Sequence, residues 1–272
     1  MTAAPILEVQ DLVIRYGRTA APAVEGVSFS IARGETLGLV GESGSGKTTI
    51  GRAILGLIPV AGGRIVFDGH DITNAGPAQR RSLQGELRAV FQDPFSSLDP
   101  RRPVGDALVE PLRVAGVAKA ERLRRARAAM EAVGLPENAV QRYPREFSGG
   151  QRQRIAIARA LVTDPRLVVC DEAVSALDLS TQAQVLNLFA DLRAAADLGY
   201  LFIAHDMAVV EFLAQRIIVL NRGRIVEQGT TAEIIHTPKE HYTKVLMAAS
   251  PVPDPAQQAR RREAWQALKA GV

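Results

Sequence analysis

The residues most able to do chemistry lie in GESGSGKT, where Gly41 and Gly46 bracket four residues and Lys47 and Thr48 follow. Glycines at this spacing let successive backbone N–H groups turn inward around phosphate oxygens, and a helix starting there adds its positive end. The Lys47 ammonium can reach the outer phosphates, and the Thr48 hydroxyl can ligate Mg²⁺. Gly41, Glu42, Ser43, Gly44, Ser45, Gly46, Lys47, Thr48 and Thr49 are therefore the candidate nucleotide cradle. Around such a cradle other residues gain meaning. LVVCDE ends a strand in Asp171 and Glu172, the first suited to Mg²⁺ through water and the second to polarising an attacking water. Gln92 follows the strand LRAVF and carries an amide able to touch both metal and water. His205 closes the strand YLFIA and could donate to a terminal phosphate. Tyr16, in RYG ahead of the loop, could stack on a nucleobase.

A second anion-seeking feature stands about a hundred residues further on, in FSGGQRQRIAIARAL. Ser148 can cap the helix that opens at Gly149, Gly150 and Gln151, leaving a positive helix end pointed outward. The chain's own loop already holds one nucleotide. The simplest use for a second cradle is a nucleotide bound by another subunit, and a two-fold head-to-tail dimer achieves this with closed symmetry.

Apolar runs that lead into these motifs predict the elements that position them. VSFSI (27–31) alternates, and TLGLV (36–40) reads as a buried strand entering the glycine loop. A helix is expected over 47–58, a hairpin from RIVFDG and the following DI, and a strand over 87–93. Residues 102–134 read as helical, amphipathic and Arg/Ala-rich. Strands at 167–171 and 200–204 flank a helix at 180–196, and strands alternating with helices imply a parallel sheet covered on both faces. The helical block between 93 and 164 interrupts that alternation and reads as an inserted subdomain. IIVLNRGRIVEQG predicts a hairpin with Asn-Arg-Gly at its turn. From Pro251 the composition shifts to Pro, Gln and Arg, a tail with a short helix at 257–270.

Composition bounds the rest. At 272 residues, 47% apolar and 23% charged, the chain has the make-up of a soluble globular protein with a real core. Lys+Arg 33 against Asp+Glu 29 leaves it mildly basic, with much of the excess between Arg101 and Arg127. That run is either a solvated helical face or a surface near phospholipid or a membrane partner. No base-stacking aromatic cluster supports nucleic acid. A single cysteine, Cys170, allows no disulfide within the chain and reads as a small core residue. The N-terminus shows no secretory pattern, and no stretch approaches the ~18 continuous apolar residues of a membrane span. The chain is expected in the cytosol or held at a membrane by a partner.

Together these residues resemble the ATP-binding-cassette ATPases over nearly the whole chain. The resemblance makes Tyr16 the A-loop tyrosine, 41–49 Walker A, Gln92 the Q-loop and Ser148, Gly149, Gly150 and Gln151 the signature. It makes Asp171 the Walker B acid, Glu172 the catalytic base, His205 the switch, and Ser175-Ala176-Leu177-Asp178 the D-loop. Phe147 replaces the leucine usual before the signature. The implied fold is an α/β P-loop NTPase (RecA-like) with a parallel sheet core, an N-terminal antiparallel β subdomain and an inserted helical subdomain, over 1–250, with a tail over 251–272. FQDPFSSLDPRRPVGDAL, CDEAVSALDLSTQAQVLNL and HTPKEHYTKVLMAASP look like the dipeptide/oligopeptide/nickel importer ATPases, and the second of their paired subunits. That branch implies ATP and Mg²⁺, and a heterodimer with a sister ATPase, or a homodimer in isolation. It further implies two membrane permeases, an extracytoplasmic solute-binding protein and a peripheral place on the cytoplasmic face of the inner membrane. Peptides, nickel chelates, glutathione-like compounds and oligosaccharides remain open as cargo. The alternatives are a soluble cassette ATPase in DNA repair or translation, and a P-loop kinase or GTPase. A GTPase would want Asn-Lys-x-Asp, which Asn221-Arg222-Gly223 is not.

Overall fold

The computed structural model describes residues 4–17, 21–93, 98–195 and 197–249. Its strands are β1 (Leu7–Ile14), β2 (Val24–Ile31), β3 (Thr36–Val40), β4 (Gly62–Phe67), β5 (His70–Asp71), β6 (Leu87–Phe91), β7 (Leu167–Asp171), β8 (Gly199–Ile203), β9 (Arg216–Asn221) and β10 (Arg224–Thr230). Its helices are α1 (Lys47–Ile54), α2 (Pro77–Leu83), α3 (Val104–Val114), α4 (Lys119–Ala132), α5 (Gly149–Leu161), α6 (Leu179–Ala195), α7 (Met207–Leu213), α8 (Thr231–His236) and α9 (His241–Ala249).

Strand periodicity divides the molecule into layers. In β7, Val168 and Cys170 enter one core while Leu167 and Val169 enter another. In β8, Tyr200 and Phe202 face the first core while Leu201 and Ile203 face the second. A six-stranded sheet in the order β10-β9-β3-β8-β7-β6, parallel except at β10–β9, thus separates two apolar layers. Being buried on both faces is why its central strands read as unbroken apolar runs. Helices α3 to α7 close the first layer, where the Phe189 ring meets Tyr200 and Phe202 edge-on at 5.4 and 5.6 Å. The second layer is closed by α1 and by an antiparallel sheet in the order β2-β1-β4-β5.

Several boundaries differ from the sequence expectation for local reasons. Helix α1 stops at Ile54 instead of 58, because Gly56 adopts a left-handed φ of 70° and turns the chain away. The helical stretch expected over 102–134 is two helices, broken at Gly116 with φ 76°. The β9–β10 hairpin turns on Arg222 and Gly223, both at positive φ, as a tight two-residue turn requires. The helix expected at 257–270 lies outside the described residues.

One ion cluster joins the layers. Asp68, in the β4–β5 turn, accepts from both Arg33 before β3 and Arg166 before β7. Burial works against its charge, but the Arg33 hydrogen bond and the Arg166 charge prevail and hold the carboxyl below its usual range. A depressed carboxylate stabilises above its ordinary pKa and loses that contribution as pH falls through the folded value. Asp68→Asn tolerates the same left-handed turn but removes the charge, so Tm should fall by about 2–4 °C at pH 7. In melts against pH, that gap should close as the pH drops below the ordinary value of 3.8; a pH-independent gap would assign the effect to something else.

Candidate nucleotide site

Strand β3 is buried along its length and delivers the chain into the glycine loop. Gly41 sits at φ 149°, and a Cβ there would lie 2.1 Å from the Leu220 carbonyl oxygen, so no other residue fits. The β9–β10 turn supports the loop from behind, with the Gly223 N–H donating to the Ser45 carbonyl at 2.9 Å. Lys47 is 5% exposed and folds back over the loop, its Nζ donating to the Gly41 and Glu42 carbonyls at 2.8 Å each. Among the described residues two of its three hydrogens are thereby used and one remains to offer. Burial lowers the pKa of Lys47, against the charges of Glu172, Asp171 and Glu42, which raise it. The Tyr16 hydroxyl shares a 3.1 Å hydrogen bond with Thr49 Oγ1, which places this exposed ring beside the first turn of α1.

Parallel register assembles the remaining candidates. Phe91 pairs with Asp171, Asp171 with Ile203, and Ile203 with Leu39. Gln92, Glu172 and Ala204–His205 therefore leave the sheet together at the carboxyl ends of the strands, the edge where open α/β sheets bind ligands. Thr48 Oγ1 donates to Asp171 Oδ1 at 2.9 Å. Burial raises the Asp171 pKa and the Glu172 charge adds to it, against the Thr48 hydrogen bond and the Arg52 and Lys47 cations. Glu172 adopts a left-handed φ of 52° with its N–H held by the Ile203 carbonyl at 3.0 Å. That conformation costs a non-glycine residue about 1 kcal/mol or more and is common at working sites. His205 Nδ1 lies 3.8 Å from Glu172 Oε1, too far for a hydrogen bond, and the two border a recess of about 100 Å³ with Ser175 and Gln182. Gln92 is exposed in the bend after β6.

Hard oxygen donors suit Mg²⁺, and Thr48 and Asp171 offer a hydroxyl and a carboxylate side by side. A divalent cation would also relieve the burial penalty on the Asp171 charge. Among the described residues no three His, Cys, Asp or Glu side chains converge as a metal cage. A cation here would complete its shell with water and phosphate, as Mg²⁺ commonly does.

The Ser148–Gln151 segment stays apart from this edge. Ser148 caps α5, accepting from the Gln151 N–H at 3.3 Å, while the Gln151 side-chain oxygen accepts from the Ser148 N–H at 3.0 Å. Both residues are exposed, and among the described residues neither bonds to the glycine loop. A Cβ on Gly149 would meet nothing within 4 Å, whereas one on Gly150 would lie 2.1 Å from Thr181 Cγ2. Asp178 caps α6, its carboxylate accepting from the Thr181 N–H at 3.0 Å and hydroxyl at 2.7 Å, which lowers its pKa. A larger cavity of about 670 Å³, between α4 and α6, lies at the opposite ends of the strands. Its arginines already pair with Asp68, Glu121 and Asp164.

Two neighbours of the loop escape sequence reading: Gly223, and Tyr242 on α9, whose hydroxyl accepts from the Glu42 N–H at 3.1 Å. HTPKEHYTKVL carries a resemblance, but nothing in its spacing tells which residue would touch a loop 200 positions away.

Fold and site together define an α/β P-loop nucleoside triphosphatase. Residues 24–175 match the ABC transporter family model, and 226–270 match the C-terminal region of oligopeptide/dipeptide transporters. The chain is similar to a putative peptide import ATP-binding protein of Brucella ovis, 49% identical over 265 residues, covering 96% of this chain and 84% of the relative. It is 46% identical over 268 residues to the glutathione import ATP-binding protein GsiA of Escherichia coli O157:H7, covering 95% of this chain but 43% of that longer one. Among solved structures, cbiO1 of Clostridium perfringens, part of the ABC transporter complex cbiONQ, superposes with a TM-score of 0.78 at 26% identity, covering 86% and 91% of the two chains. A dimeric post-hydrolysis structure of the cassette MJ0796 with ADP and Pi superposes at 0.74 and 26%, covering 83% and 98%. The chain belongs to the ABC transporter family and is one of its ATPases.

An acid whose pKa is raised on folding costs stability at pH values above its ordinary 3.8. Asp171→Asn keeps the acceptor for Thr48 and should raise the nucleotide-free Tm at pH 7 by about 1–4 °C. The same variant should lose the added stabilisation that Mg²⁺ gives over ATP with EDTA. Thermal melts in the three conditions check both; retained Mg²⁺ dependence would remove Asp171 from the metal site.

Proposed function

We propose that the chain is the ATP-hydrolysing subunit of an importer for peptides or similar small solutes, working as one half of a cassette dimer. Residues 41–49 wrap the phosphates, Lys47 offers its remaining hydrogen to them, and Tyr16 stacks on adenine. Thr48 and Gln92, with Asp171 through water, would hold Mg²⁺, which supplies charge neutralisation to the phosphates when bound. Glu172 takes a proton from the attacking water as its oxygen bonds to the γ-phosphorus and ADP leaves, while His205 donates to a γ-phosphate oxygen. Across the dimer, Ser148, Gly149, Gly150 and Gln151 meet the partner's nucleotide, with Asp178 beside the seam.

The observation that carries this reading is the exposed start of α5, capped within itself, open beside Gly149 and, among the described residues, not bonded to the glycine loop of its own chain. Charge-assisted hydrogen bonds are worth about 1.5–3 kcal/mol each. Several at each γ-phosphate bias the pair toward closure, and hydrolysis removes the bias. The dimeric cassette among the structural neighbours supports the pairing by likeness.

Relatives named for peptide and glutathione import support the cargo class. Sites for membrane partners are also at hand. A groove of about 280 Å³ follows the edge strand β6 between α1 and α5, with Leu57 61% and Phe91 41% exposed. It lies next to Gln92, where a permease helix would feel the nucleotide state. No helix among the described residues is long and apolar enough to span a membrane. As the ATPase of such an importer, the chain would sit on the cytoplasmic face by contact with two permeases, beside a sister ATPase, with an external binding protein supplying the solute.

Glu172→Gln should bind Mg·ATP, lower turnover by about a hundredfold or more and accumulate an ATP-dependent dimer in size-exclusion chromatography. Turnover near the unaltered rate would show that the base is elsewhere. A Cβ added at Gly149 meets nothing within 4 Å among the described residues, so Gly149→Leu starts into open space. Fluorescent ADP should therefore bind the isolated variant within about twofold of the unaltered chain, while ATPase of the assembled dimer falls about tenfold. Loss of ADP binding by the isolated chain would contradict a site in trans.

A further inference from the structure

Helix α9 reaches the phosphate cradle through one side chain. Tyr242 Oη accepts a hydrogen bond from the Glu42 N–H at 3.1 Å, linking residues 200 positions apart. The same peptide unit is held on its other side, because the Gly41 carbonyl accepts from Lys47 Nζ at 2.8 Å. A trans peptide is planar, with N–H and C=O pointing in opposite directions. The tyrosine and the lysine thus grip one rigid plate from its two edges. The next carbonyl, of Glu42, takes the second hydrogen of the ammonium. Rotation of this plate would move the Gly41 acceptor directly, one of the two that aim Lys47.

The tyrosine is itself firmly placed. It is half-buried, and α9 packs onto the first core through Met247. The chain entering α9 is fastened by Glu227 of β10, whose carboxylate accepts from the Lys239 and Glu240 N–H groups at 2.8 and 3.2 Å. Beside it, Thr243 is fully buried. A hydroxyl on such a mount is a fixed point for the loop, and preorganising a binding loop strengthens binding by lowering its ordering cost.

We infer that Tyr242 is a positioning residue for the nucleotide cradle: by holding the Gly41–Glu42 peptide it aims the Lys47 ammonium, so that α9 sets the affinity for the nucleotide's phosphates. This rests on residues 41–49 being the nucleotide cradle. A displacement of α9 would pass to the loop as a change in affinity, without any residue of α9 touching the nucleotide.

The test uses the full chain and Tyr242→Phe, which keeps the ring and deletes the hydroxyl, with Lys47→Ala alongside. Binding of fluorescent Mg·ADP is titrated and steady-state ATPase is measured. Tyr242→Phe should raise the Kd about threefold to tenfold and raise KM for ATP similarly, with kcat changed less than about twofold. A merely structural role would lower Tm and kcat together without that split. Lys47→Ala should abolish detectable binding. If it does so while Tyr242→Phe binds like the unaltered chain, Tyr242 has no positioning role. If Lys47→Ala itself binds normally, the cradle assignment fails instead.

Discussion

An almost fully buried ammonium has to be answered by its surroundings, and Lys47 is answered by two carbonyls of its own loop. Leaving such a charge unpaired would cost several kcal/mol, so the loop must present those carbonyls in one geometry. That requirement reaches outward. It fixes Gly41 against the Leu220 carbonyl, the loop against the β9–β10 turn, and the Gly41–Glu42 peptide against Tyr242. The rest of the site follows from where β3 lies between β8 and β9, since the strand that delivers the lysine also aligns its neighbours' ends.

The acidic side of the site carries the complementary constraint. Asp171 and Glu172 are adjacent, one buried and hydrogen-bonded to Thr48, the other in a strained backbone conformation facing His205. The site holds a carboxylate and an ammonium whose charges are both disfavoured by burial. A polyphosphate with its cation, bound as proposed, would relieve both penalties at once. Sites that give up stability for function commonly carry such penalties.

Much of this was legible because the signals are local. The glycine loop, the Ser148 cap and the apolar runs at β3, β7 and β8 each lie within a few residues, so their periods and caps could be read directly. Because β7 is buried on both faces, its run ending in Asp171-Glu172 already implied a parallel strand aimed at the loop. What escaped was either subtle or distant. The end of α1 depended on Gly56 turning left-handed, and α2, α7 and α8 are too short, at 7, 7 and 6 residues, to show a helical period. The Asp68 cluster joins residues 35 and 98 positions apart, and Tyr242 meets Glu42 across 200. No pattern along the chain encodes such pairs; only the packed layers bring them together.

The glycine loop and the Ser148–Gln151 helix start find a single use if each nucleotide is shared between protomers, and complementation between damaged chains tests this most directly. In a mixed dimer of Lys47→Ala with Ser148→Arg, sharing places both defects in one nucleotide site and leaves the other intact. Such a dimer should hydrolyse ATP at about half the undamaged rate, whereas the double variant paired with itself should be inactive. If the mixed dimer is as inactive as the double variant, each chain works on its own nucleotide, and the shared site is contradicted.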